Sequence, residues 1–578
     1  MGSLFSKKKK ELQTQNQLFC DQTNVVNPNY YLFCTSYLHL DYQNKNINQR
    51  NIFQIARQLQ EFQNVETLIL NLDKNEINPQ GITDLGNSIQ QCLNLKKLLV
   101  DLFGNYLGDK GSDILGAQLS YLTNLTSLNL NLRYNQINDQ GALGISLGIS
   151  QLRNLKKLIL LLNMNYISDS GAFKLGHGLG QCQMLNILFL NLRCNKIQDL
   201  GGLSLCKNLA GCKSLTYLEL DLSQNTISLQ TGPYFEGFDQ LTKLKTIRLD
   251  LKENCLYDTG VYHLSLSLEY LISIEKIALS LNRNYITDDR ISDLGIGLAK
   301  CDNLTSIHLE LNHNKVSSNG FYGLFSKLLQ KQNLYELNVD LKENILRDNS
   351  LTALQIQQEF NTNIINLKLN LQFNRLFSKN SQLLFHTLDK LSSLQELNID
   401  LYNNQIGDEG TCFLADGIEK FLKLEILTLN LQENKITDKG ASKLGLKLGN
   451  CQQLKNLSIN MSQNSIGIDE DFQMARGLAN CKKIEVLKLN FKDNSLDYLK
   501  AILLGFLISQ LTFVKIIDID LNNNKVFETG VSHLLNQVSL CQYLRILKLG
   551  STTIYGIVPI QKKLNKCKRL TQYYLNIF

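Results

Sequence analysis

The chain repeats itself every thirty residues. With Asn135, in the stretch Leu128–Gly141, taken as the reference, asparagines in the same local pattern occur in sixteen copies, and every interval is 30 residues except a single one of 29. The sixteen are Asn75, Asn105, Asn135, Asn165, Asn195, Asn225, Asn254, Asn284, Asn314, Asn344, Asn374, Asn404, Asn434, Asn464, Asn494 and Asn524. A fixed period of this size predicts a solenoid, in which each unit buries its apolar side only by stacking on its neighbours.

The residues before each asparagine predict a short strand. Apolar residues lie seven, five and three positions before the asparagine and two positions after it in all sixteen copies, as in Leu128, Leu130, Leu132 and Ile137. Alternation with period two is typical of a strand with one buried face. The asparagine is expected to turn the chain and to satisfy the backbone groups that the bend leaves unpaired.

The second half of each unit predicts a helix. Asp lies four residues after the asparagine in nine copies, and Gly lies six residues after it in ten. Asp is a good helix N-cap, and Leu444 and Leu448 recur at helical spacing in one such segment. Each unit is therefore predicted to be a strand, a turn, a helix and a return. The fold class is an α/β solenoid of about 17 repeats.

This pattern resembles the leucine-rich repeat family, and within it the ribonuclease-inhibitor-like class, over roughly residues 36–555. The family's strand reads LxxLxLxxN, whereas the strand of this chain reads LxLxLxxN. The resemblance implies a horseshoe with a parallel sheet on the concave face and helices on the convex face. It also implies a non-catalytic scaffold or adaptor that binds protein partners on the concave face, without a cofactor or a small-molecule substrate.

Three segments are expected along the chain. Residues 1–29 are rich in Gln and Asn and predict a flexible N-terminal tail, residues 30–555 form the solenoid, and residues 556–578 form a C-terminal cap. The interval of 29 residues contains Pro233, where a shortened helix is expected.

Charge and cysteine content exclude several classes of protein. The net charge is +7, and the four lysines of the N-terminal run account for more than half of it, so no nucleic-acid footprint is present. Half of the 14 cysteines lie thirteen residues before the asparagine position of the following repeat, a position that Ile554 occupies after the last of them: Cys92, Cys182, Cys212, Cys301, Cys451, Cys481 and Cys541. This regular placement favours a buried apolar role over disulfide pairing. Neither a secretory signal nor a bilayer-spanning run is apparent, which predicts a cytoplasmic protein.

The first ten residues, MGSLFSKKKK, match an N-myristoylation signal. Gly2 is the expected lipidation site. Because one myristoyl chain anchors a protein only marginally, the lysine run would supply attraction to an anionic membrane surface through Lys7, Lys8, Lys9 and Lys10. The sequence thus predicts peripheral attachment to the cytoplasmic face of a membrane. The alternative is a solubilising basic tail.

Two sets of residues on the exposed face of the strands are candidate partner-binding sites. Asn or Asp lies four residues before the repeat asparagine in thirteen of sixteen copies, which indicates either a polar ladder along the sheet or an acidic strip for a basic partner. The acidic residues of that strip are Asp221, Asp250, Glu310, Asp340 and Asp400.

The second set is apolar and lies in the N-terminal third of the chain. Exposed apolar patches often mark interaction sites, although flanking loops or the N-terminal tail could cover this one. Its residues are Ile69, Leu99, Phe103, Tyr134, Ile159, Leu161, Met164 and Phe189.

Two other functions remain open. The Ran GTPase-activating proteins share the repeat class, and Arg133 and Arg193 near the apolar patch could touch a GTPase. A structural component of a cytoskeletal or ciliary assembly is the other alternative. The seven histidines have no metal-ligand spacing, and no catalytic motif is apparent.

Overall fold

A computed structural model describes residues 36–346, 363–467, 473–551, 564 and 569–576. Across these residues, nineteen parallel β-strands alternate with fifteen α-helices. The chain divides into two compact units, and the boundary lies between Leu279 and Ser280. Each unit is an α/β solenoid, as the sequence predicts.

The first unit begins with β1 and ends within β9. Its elements are β1 (Tyr37–Asp41), α1 (Gln49–Leu59), β2 (Thr67–Asn71), α2 (Pro79–Ile89), β3 (Lys97–Asp101), α3 (Gly108–Leu119), β4 (Ser127–Asn131), α4 (Asp139–Ser150), β5 (Lys157–Leu161), α5 (Asp169–Gly180), β6 (Ile187–Asn191), α6 (Asp199–Leu209), β7 (Tyr217–Asp221), β8 (Thr246–Asp250), α7 (Tyr257–Ser267) and β9 (Lys276–Ser280).

The second unit continues the alternation. Its elements are α8 (Ile291–Ala299), β10 (Ser306–Glu310), α9 (Ser318–Leu329), β11 (Glu336–Asp340), β12 (Asn366–Asn370), α10 (Ser378–Leu388), β13 (Glu396–Asp400), α11 (Gly407–Ile418), β14 (Ile426–Asn430), α12 (Asp438–Leu448), β15 (Asn456–Asn460), α13 (Gln473–Leu478), β16 (Val486–Asn490), α14 (Tyr498–Ser509), β17 (Ile516–Asp520), α15 (Phe527–Val538), β18 (Ile546–Gly550) and β19 (Gln572–Asn576). The last strand lies within the segment predicted to be the C-terminal cap and pairs in parallel with β18.

The strands stack in the register that the sequence period predicts. Leu130 pairs with Leu160, and Leu160 pairs with Leu190, on successive parallel strands. The leucines of these rows are buried, whereas the residues between them are half-exposed. The core is therefore a stack of leucine layers between the sheet and the helices.

The repeat asparagine joins each thirty-residue repeat to the repeat beside it. The side-chain oxygen of Asn165 accepts hydrogen bonds of 3.0 Å from the backbone amides of Asn135 and Ile137 in the preceding repeat. Its amide nitrogen donates to the carbonyls of Leu132 and Leu162. Because it needs both a donor and an acceptor, this buried position selects Asn over Asp.

The aspartate four residues after the repeat asparagine does not cap its own helix in the repeats described next, so the prediction of an N-cap there is wrong. Asp139 is the first helical residue of α4, and the cap position belongs to Asn138. The carboxylate instead accepts the Ser168 amide at 2.7 Å, at the start of the helix in the following repeat. Asp109 and Asp408 make the same contact with the helices that follow them. The carboxylate thus caps a neighbouring helix, whose positive N-terminal end attracts it.

The shortened repeat has no α-helix between β7 and β8. The chain there passes through left-handed conformations at Leu229, Gly232 and Gly237 and then forms a short 3₁₀ helix at Phe238–Gln240. Buried aromatic rings, including that of Tyr234, fill the space that a helix occupies elsewhere. The predicted shortened helix is therefore wrong, and aromatic side chains replace it.

The recurrent cysteines lie at the ends of helices, where their thiols donate to the preceding repeat. The Sγ atom of Cys212 lies 3.2 Å from the carbonyl oxygen of Leu179, and that of Cys481 lies 3.2 Å from the carbonyl oxygen of Leu448. Burial raises the pKa of both thiols to about 12. The thiols are therefore neutral, and each donates a second hydrogen bond to a carbonyl that already accepts a backbone amide at 2.9 Å.

Candidate functional site

Three positions of each strand face away from the core: eight, six and four residues before the repeat asparagine. In β5 these are Lys157, Ile159 and Leu161, and the residues between them are buried. The turn that follows adds the two residues immediately before the asparagine. The second of these adopts a left-handed backbone in almost every repeat, including Tyr134 and Met164.

The Asn and Asp residues four before the repeat asparagine have a structural role. Each accepts a hydrogen bond from the backbone amide two residues later, as Asp101 does from Phe103 at 3.0 Å. Several also bond along the sheet, as Asn131 does to Asp101 at 2.9 Å. This geometry is that of the polar ladder. A Leu at this position, Leu161, cannot make either bond.

The residues of the acidic strip have hydrogen-bond partners within their own units. In the first unit, Asp221 lies beside Asp250 on the neighbouring strand. In the second, Glu310 lies beside Asp340, and Asp400 accepts from Gln372 at 2.7 Å. These bonds within the chain satisfy much of the acceptor capacity that a basic partner would need.

Glu310 is the most strongly perturbed of these carboxylates. His308 lies 3.0 Å from one of its oxygens, and Asn282 and Ser280 donate to the other at 2.8 and 3.0 Å. The hydrogen bond with His308 is the largest cause that lowers the pKa of Glu310, to about 2, against the opposing effect of burial. The arrangement is a compact charged network on the strand surface.

The apolar residues of the first unit occupy neighbouring outward positions. Ile69 pairs with Leu99 across β2 and β3, and Ile159 pairs with Phe189 across β5 and β6. Asn129 on β4 separates the two pairs. These four apolar residues and the four described next, Phe103, Tyr134, Leu161 and Met164, are here called the apolar face.

The turns at the end of these strands enlarge the apolar face. Phe103 and Tyr134 lie with ring centroids 6.5 Å apart. Tyr134 is 62% exposed and Met164 is 48% exposed, both at positive φ. Large side chains rarely adopt this backbone conformation, because the Cβ atom crowds the following carbonyl.

The equivalent outward row of the second unit is polar. Where β2, β3, β5 and β6 carry Ile, Leu, Ile and Phe six residues before the asparagine, the strands β10 to β17 carry only polar or charged side chains. These are His308, Asn338, Lys368, Asn398, Thr428, Ser458, Lys488 and Asp518. The apolar face is thus a local property of the first unit and not a consequence of the repeat.

The two arginines considered as GTPase contacts are held by their own chain. The guanidinium of Arg133 lies 4.9 Å from the centre of the Phe103 ring, and its Nε donates to Asn131 at 3.1 Å. The Nε of Arg193 donates to Gln224 at 2.9 Å. Both side chains therefore lie along the edge of the apolar face.

Sequence reasoning missed the lysines that flank the apolar face. Lys97 and Lys157 lie eight residues before their asparagines and are exposed on the outward side of β3 and β5. The Nζ of Lys157 lies 6.0 Å from the Phe189 ring, and that of Lys74 lies 5.6 Å from the Phe103 ring. Strand alternation places this position on the same side as the other two, which is the signal that could have identified it.

Two kinds of site are lacking in the part of the chain that the structure describes. No three His, Cys, Asp or Glu side chains come together as metal ligands there. None of the helices described is long and apolar enough to cross a membrane. The predicted lipidation site Gly2 and the lysines Lys7–Lys10 lie outside the described residues.

A comparison with protein-family models agrees with the fold. The family model described as "Leucine Rich repeat" matches residues 121–146, 183–206 and 426–445. The structure is similar to that of the plant peptide hormone receptor RGFR1 in complex with RGF2. The identity is 14%, with a TM-score of 0.30, over 89% of this chain and 90% of that chain. No curated protein was found to match the sequence.

Parallel strands and helices that alternate at a thirty-residue period, with an outward row of side chains on every strand, define a solenoid repeat protein. Three segments of the chain match the leucine-rich repeat model, and the repeat asparagines continue the same period outside those segments. Leucine-rich repeats of this kind support a protein-interaction scaffold.

Proposed function

We propose that the scaffold binds a protein partner through the apolar face of its first unit and that it acts as a non-catalytic adaptor. The observation that carries the proposal is the contrast between the two units. Ile69, Leu99, Ile159 and Phe189 occupy outward positions that are polar throughout β10 to β17. Burial of such side chains against a partner is favourable by about 25 cal/mol per Å² of apolar surface.

The exposed turn residues support the same proposal. Tyr134 and Met164 expose about half or more of their surface. Exposed aromatic residues and methionine are also common in the centres of protein interfaces.

Quantitative affinity purification tests this proposal. The wild type is compared with an Ile159→Asp/Phe189→Asp variant and with a matched Thr428→Asp/Ser458→Asp control, which places charges at equivalent positions on β14 and β15. Proteins that the wild type and the control retain should be lost from the first variant, while circular dichroism remains unchanged. Retention of all partners by the folded Ile159→Asp/Phe189→Asp variant would refute the apolar face as the binding surface.

We further propose that the N-terminus attaches this scaffold to a membrane. The support is the sequence MGSLFSKKKK, which combines Gly2 for myristoylation with a run of four lysines. Gly2→Ala should move the protein from the membrane fraction to the soluble fraction. Replacing Lys7–Lys10 with Gln should weaken attachment without preventing lipidation. An unchanged distribution of the Gly2→Ala protein would refute the tether.

A further inference from the structure

Positively charged side chains lie around the apolar face and form no ion pair with an acidic side chain of the described residues. Of the ion pairs among the described residues, none involves Lys74, Lys97, Arg133, Lys157 or Arg193. On the outward side of the second unit, by contrast, Lys368 lies 3.3 Å from Glu396, and Lys342 lies 3.7 Å from Glu343. Five positive charges beside one apolar surface therefore remain available to a ligand.

We propose that the apolar face receives an extended acidic polypeptide segment in which carboxylates alternate with apolar side chains. This inference rests on the proposed function and specifies its partner. Carboxylates of the segment would pair with Lys97, Lys157 and Arg193, while its apolar side chains pack on Ile159, Leu161 and Phe189. Charge complementarity of this kind steers association and fixes the register of a ligand.

The dimensions fit a short segment. From β2 to β6 the apolar face crosses four strand spacings, or about 19 Å at about 4.8 Å each. An extended chain advances about 3.3 Å per residue, so about six residues span the face. Alternate residues of such a segment point to opposite sides, and its carboxylates can reach the flanking cations while its apolar groups face the strands.

The same contacts disfavour nucleic acid. Single-stranded nucleic acids bind by stacking bases on open aromatic faces. The Phe103 ring is approached by both Arg133 and Lys74, and the Phe189 ring lies 5.0 Å from that of Tyr217 and 6.0 Å from the Nζ of Lys157. These rings have little free surface on which a base could stack, whereas aliphatic side chains can contact their edges.

Fluorescence anisotropy with defined peptides and the full-length protein tests the inference. The probe is an eight-residue peptide that alternates glutamate with leucine or phenylalanine. Two matched peptides replace its glutamates with lysine or its apolar residues with serine. The acidic apolar peptide should bind at least tenfold more tightly than either matched peptide, and salt should weaken it. Equal binding of the lysine peptide would overturn the inference, as would absence of binding by all three.

Two charge-reversal variants connect this test to the site. Lys97→Glu/Lys157→Glu should weaken binding of the acidic apolar peptide at least tenfold, whereas the control Lys488→Glu on β16 should leave its affinity unchanged. Tighter binding of oligothymidine or of phosphatidylserine vesicles than of the peptide, lost in the same variant, would overturn the inference in favour of those ligands.

The same variants separate this inference from the proposed function. If purified partners are lost from Ile159→Asp/Phe189→Asp but retained by Lys97→Glu/Lys157→Glu, the apolar face binds a partner that is not acidic. If both variants retain every partner, the proposed function itself fails.

Discussion

The carboxylate of Asp109 accepts a hydrogen bond of 2.9 Å from the backbone amide of Gly141, which lies 32 residues later in the sequence. The same oxygen accepts the Asn138 amide at 2.7 Å. A Cβ atom on Gly141 would lie 2.7 Å from that oxygen and 2.8 Å from a methyl carbon of Ile137. The glycine therefore leaves room for the aspartate of the preceding repeat, which explains why the two residues recur together.

Both residues of this contact can be tested by unfolding in urea. Asp109→Ala removes the acceptor at the start of the next helix and should lower the free energy of unfolding by about 1 kcal/mol. Gly141→Ala introduces the close contacts described above and should cost about 1–3 kcal/mol. Lys110→Ala, a change at an exposed neighbouring residue, is the control. A Gly141→Ala protein as stable as the wild type would contradict this account of the repeat.

Loss of the hydrogen bonds that the repeat asparagine makes between repeats should lower the free energy of unfolding more than loss of the contact between Asp109 and Gly141. Asn165→Ala leaves the amides of Asn135 and Ile137 and the carbonyl of Leu132 without this partner in a buried site. Each unsatisfied group costs about 1–3 kcal/mol, so a loss of about 3 kcal/mol or more is expected in the free energy of unfolding. Asn165→Asp should also destabilise, because a carboxylate cannot donate to the carbonyls of Leu132 and Leu162. A loss below about 1 kcal/mol for either variant would show that the hydrogen bonds of Asn165 are dispensable for stability.

The buried cysteines should resist alkylation in the native protein. Because burial raises the pKa of the Cys212 and Cys481 thiols to about 12, almost no thiolate is present at pH 8. Iodoacetamide labelling followed by mass spectrometry should modify the exposed Cys194 in the native state and the two buried residues only in urea. Labelling of Cys212 at the rate of Cys194 would contradict the assigned burial.

The contribution of Glu310 to the free energy of unfolding should depend on pH. Its pKa is lowered from 4.5 to about 2 in the folded chain, so its stabilisation is present above pH 4.5 and is lost as the pH falls towards 2. Glu310→Gln should lower stability at pH 6 and flatten the dependence of the unfolding free energy on pH in that window. Glu336→Gln, which removes an exposed carboxylate on the neighbouring strand, is the control. An unchanged slope for Glu310→Gln would refute the role of the His308 contact.

Replacing Met164 should weaken binding without lowering the stability of the fold. Asn tolerates the left-handed backbone that Met164 adopts at φ 60°, so Met164→Asn should leave the unfolding temperature unchanged or raise the stability by up to about 1 kcal/mol. The same change should weaken binding of the acidic apolar peptide, because it removes an exposed apolar side chain. Phe373→Asn, at the equivalent position of the second unit with φ 56°, should not affect the peptide. Destabilisation by Met164→Asn would show that its side chain serves packing within the chain.

The sequence predicted most of the fold because one period governs it. Leu130, Leu160 and Leu190 pair as expected, since a period-two pattern repeated every thirty residues allows only one register. Contacts between repeats were harder to predict, because Asp139 resembles an ordinary N-cap until the following helix is positioned beside it. The helix expected around Pro233 was predicted wrongly for the same reason, since the buried Tyr234 ring fills that space through tertiary packing.

The candidate site was predicted in part. Ile159 and Phe189 could be assigned to one face from strand alternation alone, and the structure pairs them on adjacent strands. Strand alternation also places Lys157 on this side of β5, but a single exposed lysine gave no reason to assign it to the site. Its significance comes from its position beside Phe189 and from the lack of an acidic partner among the described residues.

Site-specific photo-cross-linking tests the central claim most directly. A photoreactive p-benzoylphenylalanine is introduced in place of Tyr134 in one protein and in place of Phe373 in another, at equivalent turn positions of the two units. We expect the probe at Tyr134 to cross-link, in cells, the partner that is lost from Ile159→Asp/Phe189→Asp, and the probe at Phe373 to give no such product. Cross-linking of that partner from Phe373 but not from Tyr134 would contradict the proposal that the apolar face is the binding surface.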